Sequence, residues 1–314
     1  MKLLFFDDFR LGIVQGTTVV DVSDVVTDFA NIEPQHLIRT VIERFDEYRG
    51  ALENAATQGR GESRPLAQVR IRPPLPRPSN IVCMAVNYME DGTRSEPAPI
   101  NAFMKSPNAI IGQGDSMVLP DVPATIFEGE AELAVVIGKR ATQVPADKAM
   151  EYVFGYTNFI DGSARGLPPA NNSFYQMKSR DTFAPIGPYL VTADEIANPQ
   201  KLAINLWVNG QPMQSFNTDD MAHNIARCIE WVTSIHSLEP GDILATGTNH
   251  RGLNPFMDGD TVELETEGLG RLRIGIHDPL NRTWKRETRL QRQEQGFSDP
   301  TPQVTGKHAT APVA

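Results

Sequence analysis

Apolar positions along this chain change their rhythm three times, and each rhythm predicts a different kind of element. Lys2–Phe6 and residues 17–22 are short runs of aromatic and β-branched side chains, with Gly12 and Gly16 bracketing a turn, which predicts a small sheet. After Pro34, the residues Ile38, Val41, Phe45, Tyr48 and Leu52 recur at helical spacing, so a single helix should cover that sheet with one apolar stripe. Pro73, Pro74, Pro76 and Pro78 then crowd one short segment, which forbids helix and central strand and favours a stiff extended connector. The expected organisation is therefore a small N-terminal α+β domain over 1–72 and a Pro-rich linker over 73–80.

From Ile81 the rhythm becomes that of short strands separated by Gly, Pro, Asn and Asp, which predicts a mostly β body over 81–280. Leu133, Val135 and Ile137 alternate with Glu132, Ala134 and Val136. Val262 and Leu264 alternate with Glu263 and Glu265, and Leu272, Ile274 and Ile276 resume the period of two after a Gly-rich turn, as a hairpin or meander would. One helix interrupts this body over 218–235. Thr218 is its expected N-cap, Asp219 and Asp220 complement the helix dipole, and Met221, Ile225, Cys228, Ile229, Val232 and Ile235 share a face. Beyond about Asn281 the periodicity fades, and 281–314 reads as a polar, partly disordered tail.

Composition narrows the possible partners. A net charge of -10 over 314 residues repels phosphate backbones and argues against nucleic acid. Mean hydropathy is -0.30, and no apolar run approaches the roughly 20 residues that span a bilayer, so no membrane is expected. Asp7 and Asp8 interrupt the N-terminal apolar run where a secretory signal would need continuity. With only Cys83 and Cys228, no disulfide framework or Cys-rich zinc site is available, and a reducing cytoplasm is the expected compartment.

Chemistry concentrates in a few places. Glu128, Glu130 and Glu132 project from one face if their strand is regular, and adjacent carboxylates either share protons or gather a cation. An all-oxygen set suits Mg²⁺ or Mn²⁺ better than zinc. The plain alternative is an acidic strand end facing water. Asp161 closes an apolar strand and, taken in isolation, reads better as a turn-former that bonds its own backbone than as a site carboxylate. Lys178 and Asp181 suit a surface ion pair, and Thr246-Gly247-Thr248 suits either a tight turn or an anion-facing loop. His36, His223 and His236 sit at helix ends and read as packing or capping residues. No P-loop, dinucleotide fingerprint or Ser-His-Asp signature is present.

Taken in order, several segments together resemble the fumarylacetoacetate hydrolase family across 81–276. They are Glu130-Ala131-Glu132-Leu133 with Gly138-Lys139, Gly155-Tyr156-Thr157 with Asp161, Ser163-Ala164-Arg165, Lys178 with Asp181 to Pro188, Val208-Asn209-Gly210, Pro240-Gly241-Asp242 and Thr246-Gly247-Thr248. The resemblance implies an α+β, mostly β fold, a mixed β-sandwich roll with the small N-terminal domain attached, and a homodimer. It also implies that Glu130, Glu132 and Asp161 bind Mg²⁺ or Mn²⁺, with Glu128 nearby, Lys178 beside metal and substrate, and Arg165, Lys105 and Thr248 lining the pocket.

Two departures from the family pattern stand out. Family hydrolases carry Asn-Tyr-x-x-His-x-x-Glu on a lid, whereas Asp91 and Arg94 occupy the His and Glu positions here. Asn249-His250-Arg251-Gly252 also replaces the usual Pro-x-Gly. His250 and Asp91 are therefore candidate bases and Arg251 a candidate carboxylate clamp. The expected function is metal-dependent hydrolysis of a C–C bond in a small 2,4-dioxo acid, acylpyruvate-like, in catabolism. The alternatives are a 2-oxo-acid decarboxylase, tautomerase or dehydratase using the same site, and an inert relative that binds a dicarboxylate.

Overall fold

Two long strands, Ile126–Ile137 and Val153–Arg165, pair antiparallel along almost their whole length and form the spine of the protein. The computed structural model describes residues 1–27, 33–58, 61–168 and 174–309. Among these residues the spine belongs to a 12-stranded sheet. On one side of the spine come Ala184–Thr192, then Lys2–Phe6, Arg10–Gln15, Thr18–Asp21 and Ser63–Pro65; on the other come Ile243–Ala245, Ile81–Met84 and Ala102–Lys105. Lys2 and Leu3 pair with Val191 and Leu190, so the strands of the 1–72 unit continue the main sheet across the Pro-rich connector. A 5-stranded sheet contains the alternating strands Thr261–Thr266 and Arg271–His277. The architecture is the mixed β fold expected, with few helices.

Period-two alternation assigns the two faces of the spine. Leu133, Val135 and Ile137 pack toward the second sheet with Leu206, Val262, Leu264 and Leu272. Ala134 and Val136 pack on the other side with Ile38, Val41 and Leu52 of the N-terminal helices. Glu128, Glu130 and Glu132 continue this second face, beyond the reach of the helices. Phe256 and Ile160 press on Gly129, and a Cβ there would meet Ile160 at 2.8 Å, so glycine lets the other face close tightly.

Three expectations need correction. The N-terminal stripe is carried by two helices, Pro34–Glu43 and Phe45–Thr57, because the backbone leaves helical geometry at Arg44 (φ -113°, ψ 28°). The helix expected over 218–235 starts at Ile225, capped by the Asn224 side chain, while Thr218–Asp220 form a short 3₁₀ turn. Between them, Ala222 N donates to Asn87 O, and His223 N donates to Asn87 Oδ1, which draws these residues out of any helix.

The third correction concerns the tail, which is folded through residue 309. Thr283–Trp284 pairs with Gln303–Thr305, and a capping box of Thr288 and Gln291 opens the helix Arg289–Glu294. Its arginines are tied to the fold: Arg282, Arg286 and Arg289 find carboxylates on Asp278, Asp260 and Glu128. Arg282 is fully buried and also donates to the carbonyls of Leu119 and Pro120. The last residues, 310–314, lie outside the described ones. Among the described residues no helix is long and apolar enough to cross a membrane.

Candidate active site

Strand register builds the centre. Glu130 sits directly opposite Asp161 in the antiparallel pair, so the two side chains emerge on the same face, and Glu132 follows one pleat along. One carboxylate oxygen from each of Glu130, Glu132 and Asp161 lies within 4.8 Å of the others, and all three residues are buried. Lys178, at the end of the short helix Phe174–Lys178, donates to Glu130 Oε1 at 2.8 Å and to Asp161 Oδ2 at 2.5 Å. Lys105 donates to Asp161 Oδ1 at 2.5 Å and to the Gly162 carbonyl at 3.2 Å. Arg165 bridges Glu130 and Glu128.

Glu132 is the exception in this network. Its Oε2 accepts the Gly247 N–H at 2.8 Å, but its Oε1 is buried with no partner. The Thr246-Gly247-Thr248 turn thus spends an amide on Glu132, and Gly247 adopts φ +87°, a conformation glycine tolerates. Three converging carboxylates, one with an unmatched oxygen, fit a hard divalent cation by donor type and number.

The electrostatics of the two glutamates diverge. Burial, and then the charges of Asp161 and Glu130, push Glu132 well above the ordinary carboxylate range. Burial pushes Glu130 the same way, but Lys178 and Arg165 overcome it and hold Glu130 well below that range. Folded Glu132 therefore keeps a proton that the unfolded chain has already released above its ordinary value. The folded state binds more protons in that window, and this contribution makes stability fall as pH rises through it. Glu132→Gln should raise the thermal midpoint of metal-free protein at neutral pH and flatten that decline. A midpoint unchanged or lowered across the pH range would mean that Glu132 carries no burial cost.

The other half of the site comes from the lid segment and the loop after Thr248. Asn87, almost fully buried, donates to the Thr246 and His223 carbonyls and so ties the two together. Glu90, Asp91 and Gly92 then adopt successive left-handed conformations, φ 56°, 55° and 75°. This turn brings Glu90 under the loop, where Glu90 Oε2 accepts the His250 backbone N–H at 2.9 Å and Glu90 Oε1 meets His250 Nδ1 at 2.6 Å. A carboxylate accepts here, so Nδ1 carries a ring proton, and in the neutral ring the lone pair then sits on Nε2.

The other predicted residues fall into different arrangements. Asp91 is exposed and paired with Arg251 Nη1 at 2.8 Å, so these two neutralise one another instead of joining His250. The Thr248 hydroxyl accepts from Gln214 Nε2 at 2.9 Å and is buried. Sequence reading missed Glu90, Gln214 and Arg289. Glu90 alone had a local signal, an ionisable residue immediately before the departed lid position. A cleft of about 380 Å³ is lined by Val86, Glu90, Arg94, His250, Arg251 and Arg289, among others.

Comparison with known proteins bears on this geometry. Residues 80–277 match the fumarylacetoacetate (FAA) hydrolase C-terminal family. The chain is 32% identical over 292 residues to a maleylpyruvate hydrolase of Aquipseudomonas alcaligenes, covering 88% of this chain and 99% of that protein. It is 36% identical over 219 residues to an oxaloacetate tautomerase of Bacillus subtilis, covering 66% of this chain and 73% of the relative. Among solved structures, a Sphingobium maleylpyruvate hydrolase in complex with manganese(II) and pyruvate superposes with a TM-score of 0.80 at 33% identity, over 88% of this chain and 99% of that one.

Proposed function

Because this chain belongs to the fumarylacetoacetate hydrolase family, we propose that it is a metal-dependent enzyme that hydrolyses a C–C bond in a small 2,4-dioxo acid, acylpyruvate-like. The single observation that carries this reading is a buried three-carboxylate cage with the His250–Glu90 dyad close enough to act electrostatically on Glu130. Glu130, Glu132 and Asp161 would hold a Mg²⁺ or Mn²⁺ ion, which would supply Lewis-acid chemistry toward a 2-oxo acid.

The chain's own residues account for the remaining steps. Lys178 Nζ lies between Glu130 and Asp161, where it adds positive charge beside the carbon skeleton in which negative charge grows. Arg165 reaches the same cage and presents a guanidinium to a substrate carboxylate. His250 Nε2 takes a proton from water, while Glu90 holds Nδ1 and stabilises the imidazolium. The water oxygen adds to the 4-oxo carbon, the C3–C4 bond breaks with its electron pair leaving on C3, and C3 takes up the proton held by His250 Nε2, which restores the base. Burial of the cage keeps bulk water from competing for those charges.

Incubation with an acylpyruvate and Mg²⁺ should release pyruvate and a carboxylate in equal amounts, stop with EDTA and resume on added Mg²⁺. No turnover under any of these conditions would favour an inert dicarboxylate-binding relative. A second reading, oxaloacetate tautomerisation, is favoured by the relatives of that name. It predicts loss of the enol absorbance of oxaloacetate without CO2 release, whereas CO2 release would indicate a decarboxylase.

A further inference from the structure

The folded tail lines the cleft with Arg289, Leu290 and Gln293, and Arg289 carries the charge among them. Arg289 Nη2 donates to Glu128 Oε2 at 2.5 Å and Arg289 Nε donates to Glu128 Oε1 at 3.1 Å, so both oxygens of this buried carboxylate are engaged. The Arg289 backbone N–H is fixed in turn by the Leu253 carbonyl at 2.9 Å. Arg165 has only a single contact left on Glu128, from Nε to Oε2 at 3.1 Å, and its Nη2 turns away to Glu130. Charges therefore alternate from tail to cage as Arg289, Glu128, Arg165, Glu130, Lys178, Asp161 and Lys105.

We propose that Arg289 is a positioning residue for the active site, which occupies Glu128 and thereby keeps the Arg165 guanidinium aimed into the cage. The reason is competition between two forks for one carboxylate. A guanidinium and a carboxylate prefer a bidentate pair, and Arg165 forms none while Arg289 fills both oxygens of Glu128. Glu128 is 1% exposed in the intact protein; removing Arg289 leaves it with one contact, and a carboxylate in that state draws in the nearest cation. Arg165 is that cation, and rotation onto Glu128 withdraws it from Glu130. Residue 289 lies beyond the 80–277 family match, so the tail contributes to a site whose other members come from inside that region.

The inference concerns where Arg165 points; its kinetic consequence rests on the proposed role of Arg165 in holding the substrate carboxylate. Crystal structures of metal-free wild-type and Arg289→Ala protein provide the direct test, with Arg289→Lys as the second variant should the first fail to fold. The expected result is Arg165 paired through both nitrogens with Glu128 and absent from Glu130. Arg165 left on Glu130 would overturn the inference.

Kinetics supply the second readout. Arg289→Ala should raise KM roughly ten-fold, the size of one charged hydrogen bond, with a smaller change in kcat. Adding Glu128→Gln, which removes the competing carboxylate, should restore KM. Losses in kcat and KM that Glu128→Gln leaves uncorrected would indicate a structural role and overturn the inference. A rotated Arg165 with unchanged KM would uphold the positioning and count instead against Arg165 as the substrate clamp.

Discussion

Glu130→Ala should abolish both catalysis and metal binding, with Mn²⁺ affinity in calorimetry falling by more than the roughly hundred-fold that loss of an outer-shell partner costs. Two effects act in the same direction. One of three converging carboxylates disappears from the cage. Lys178 and Arg165 also lose the oxygen on which both converge, so two cations remain beside the metal position with less negative charge to offset them. Repulsion of a divalent ion therefore adds to the missing ligand. Glu130→Gln keeps the shape and removes only the charge, and it should lose most of the affinity as well. The fold should survive in either variant, since the Ile126–Ile137 strand is buried along its length and paired on both edges. Full metal affinity in Glu130→Ala would show that the ion sits elsewhere.

His250→Ala should lower kcat for C–C hydrolysis by about 10²–10⁴-fold, the usual contribution of a positioned general base, while KM changes by roughly two-fold or less. Mn²⁺ affinity should be unchanged, because His250 is outside the three-carboxylate cage. Glu90→Gln should cost less. Its amide can still accept from Nδ1, but it no longer offsets the charge that His250 acquires. If the protein is a tautomerase in which another group moves the proton, His250→Ala will retain kcat, and the dyad drops out of the mechanism. Asp91→Ala serves as the contrast. Asp91 neutralises Arg251 on the exposed rim, so its removal should leave kcat close to wild type.

Part of this site was legible from one strand. Period-two geometry places Glu128, Glu130 and Glu132 on one face whatever the rest of the fold does, and the structure finds them there. Their separate fates were not legible. Glu128 goes to Arg289, Glu130 to Lys178 and Arg165, and Glu132 to an amide with one oxygen unmatched, and each partner arrives from another part of the chain. The helix expected from Thr218 shows the converse error. Its capping residues and apolar stripe were locally consistent, yet Asn87 competes for the backbone at Ala222 and His223 and delays the helix to Ile225. In the tail, loss of apolar periodicity suggested disorder because charge pairing across the fold leaves no periodic trace.

Local order along the chain determined the period of the long strands, the faces their side chains share, the predominance of strands and the common face of Glu128, Glu130 and Glu132. Those properties follow from backbone stereochemistry and need no distant partner. Tertiary structure decided that Asp161 meets Glu130, that Glu90 rather than Asp91 holds His250, and that Arg289 closes on Glu128. The last two contacts join residues 160 and 161 positions apart, where strand register and loop closure select the neighbour and local propensity has no influence.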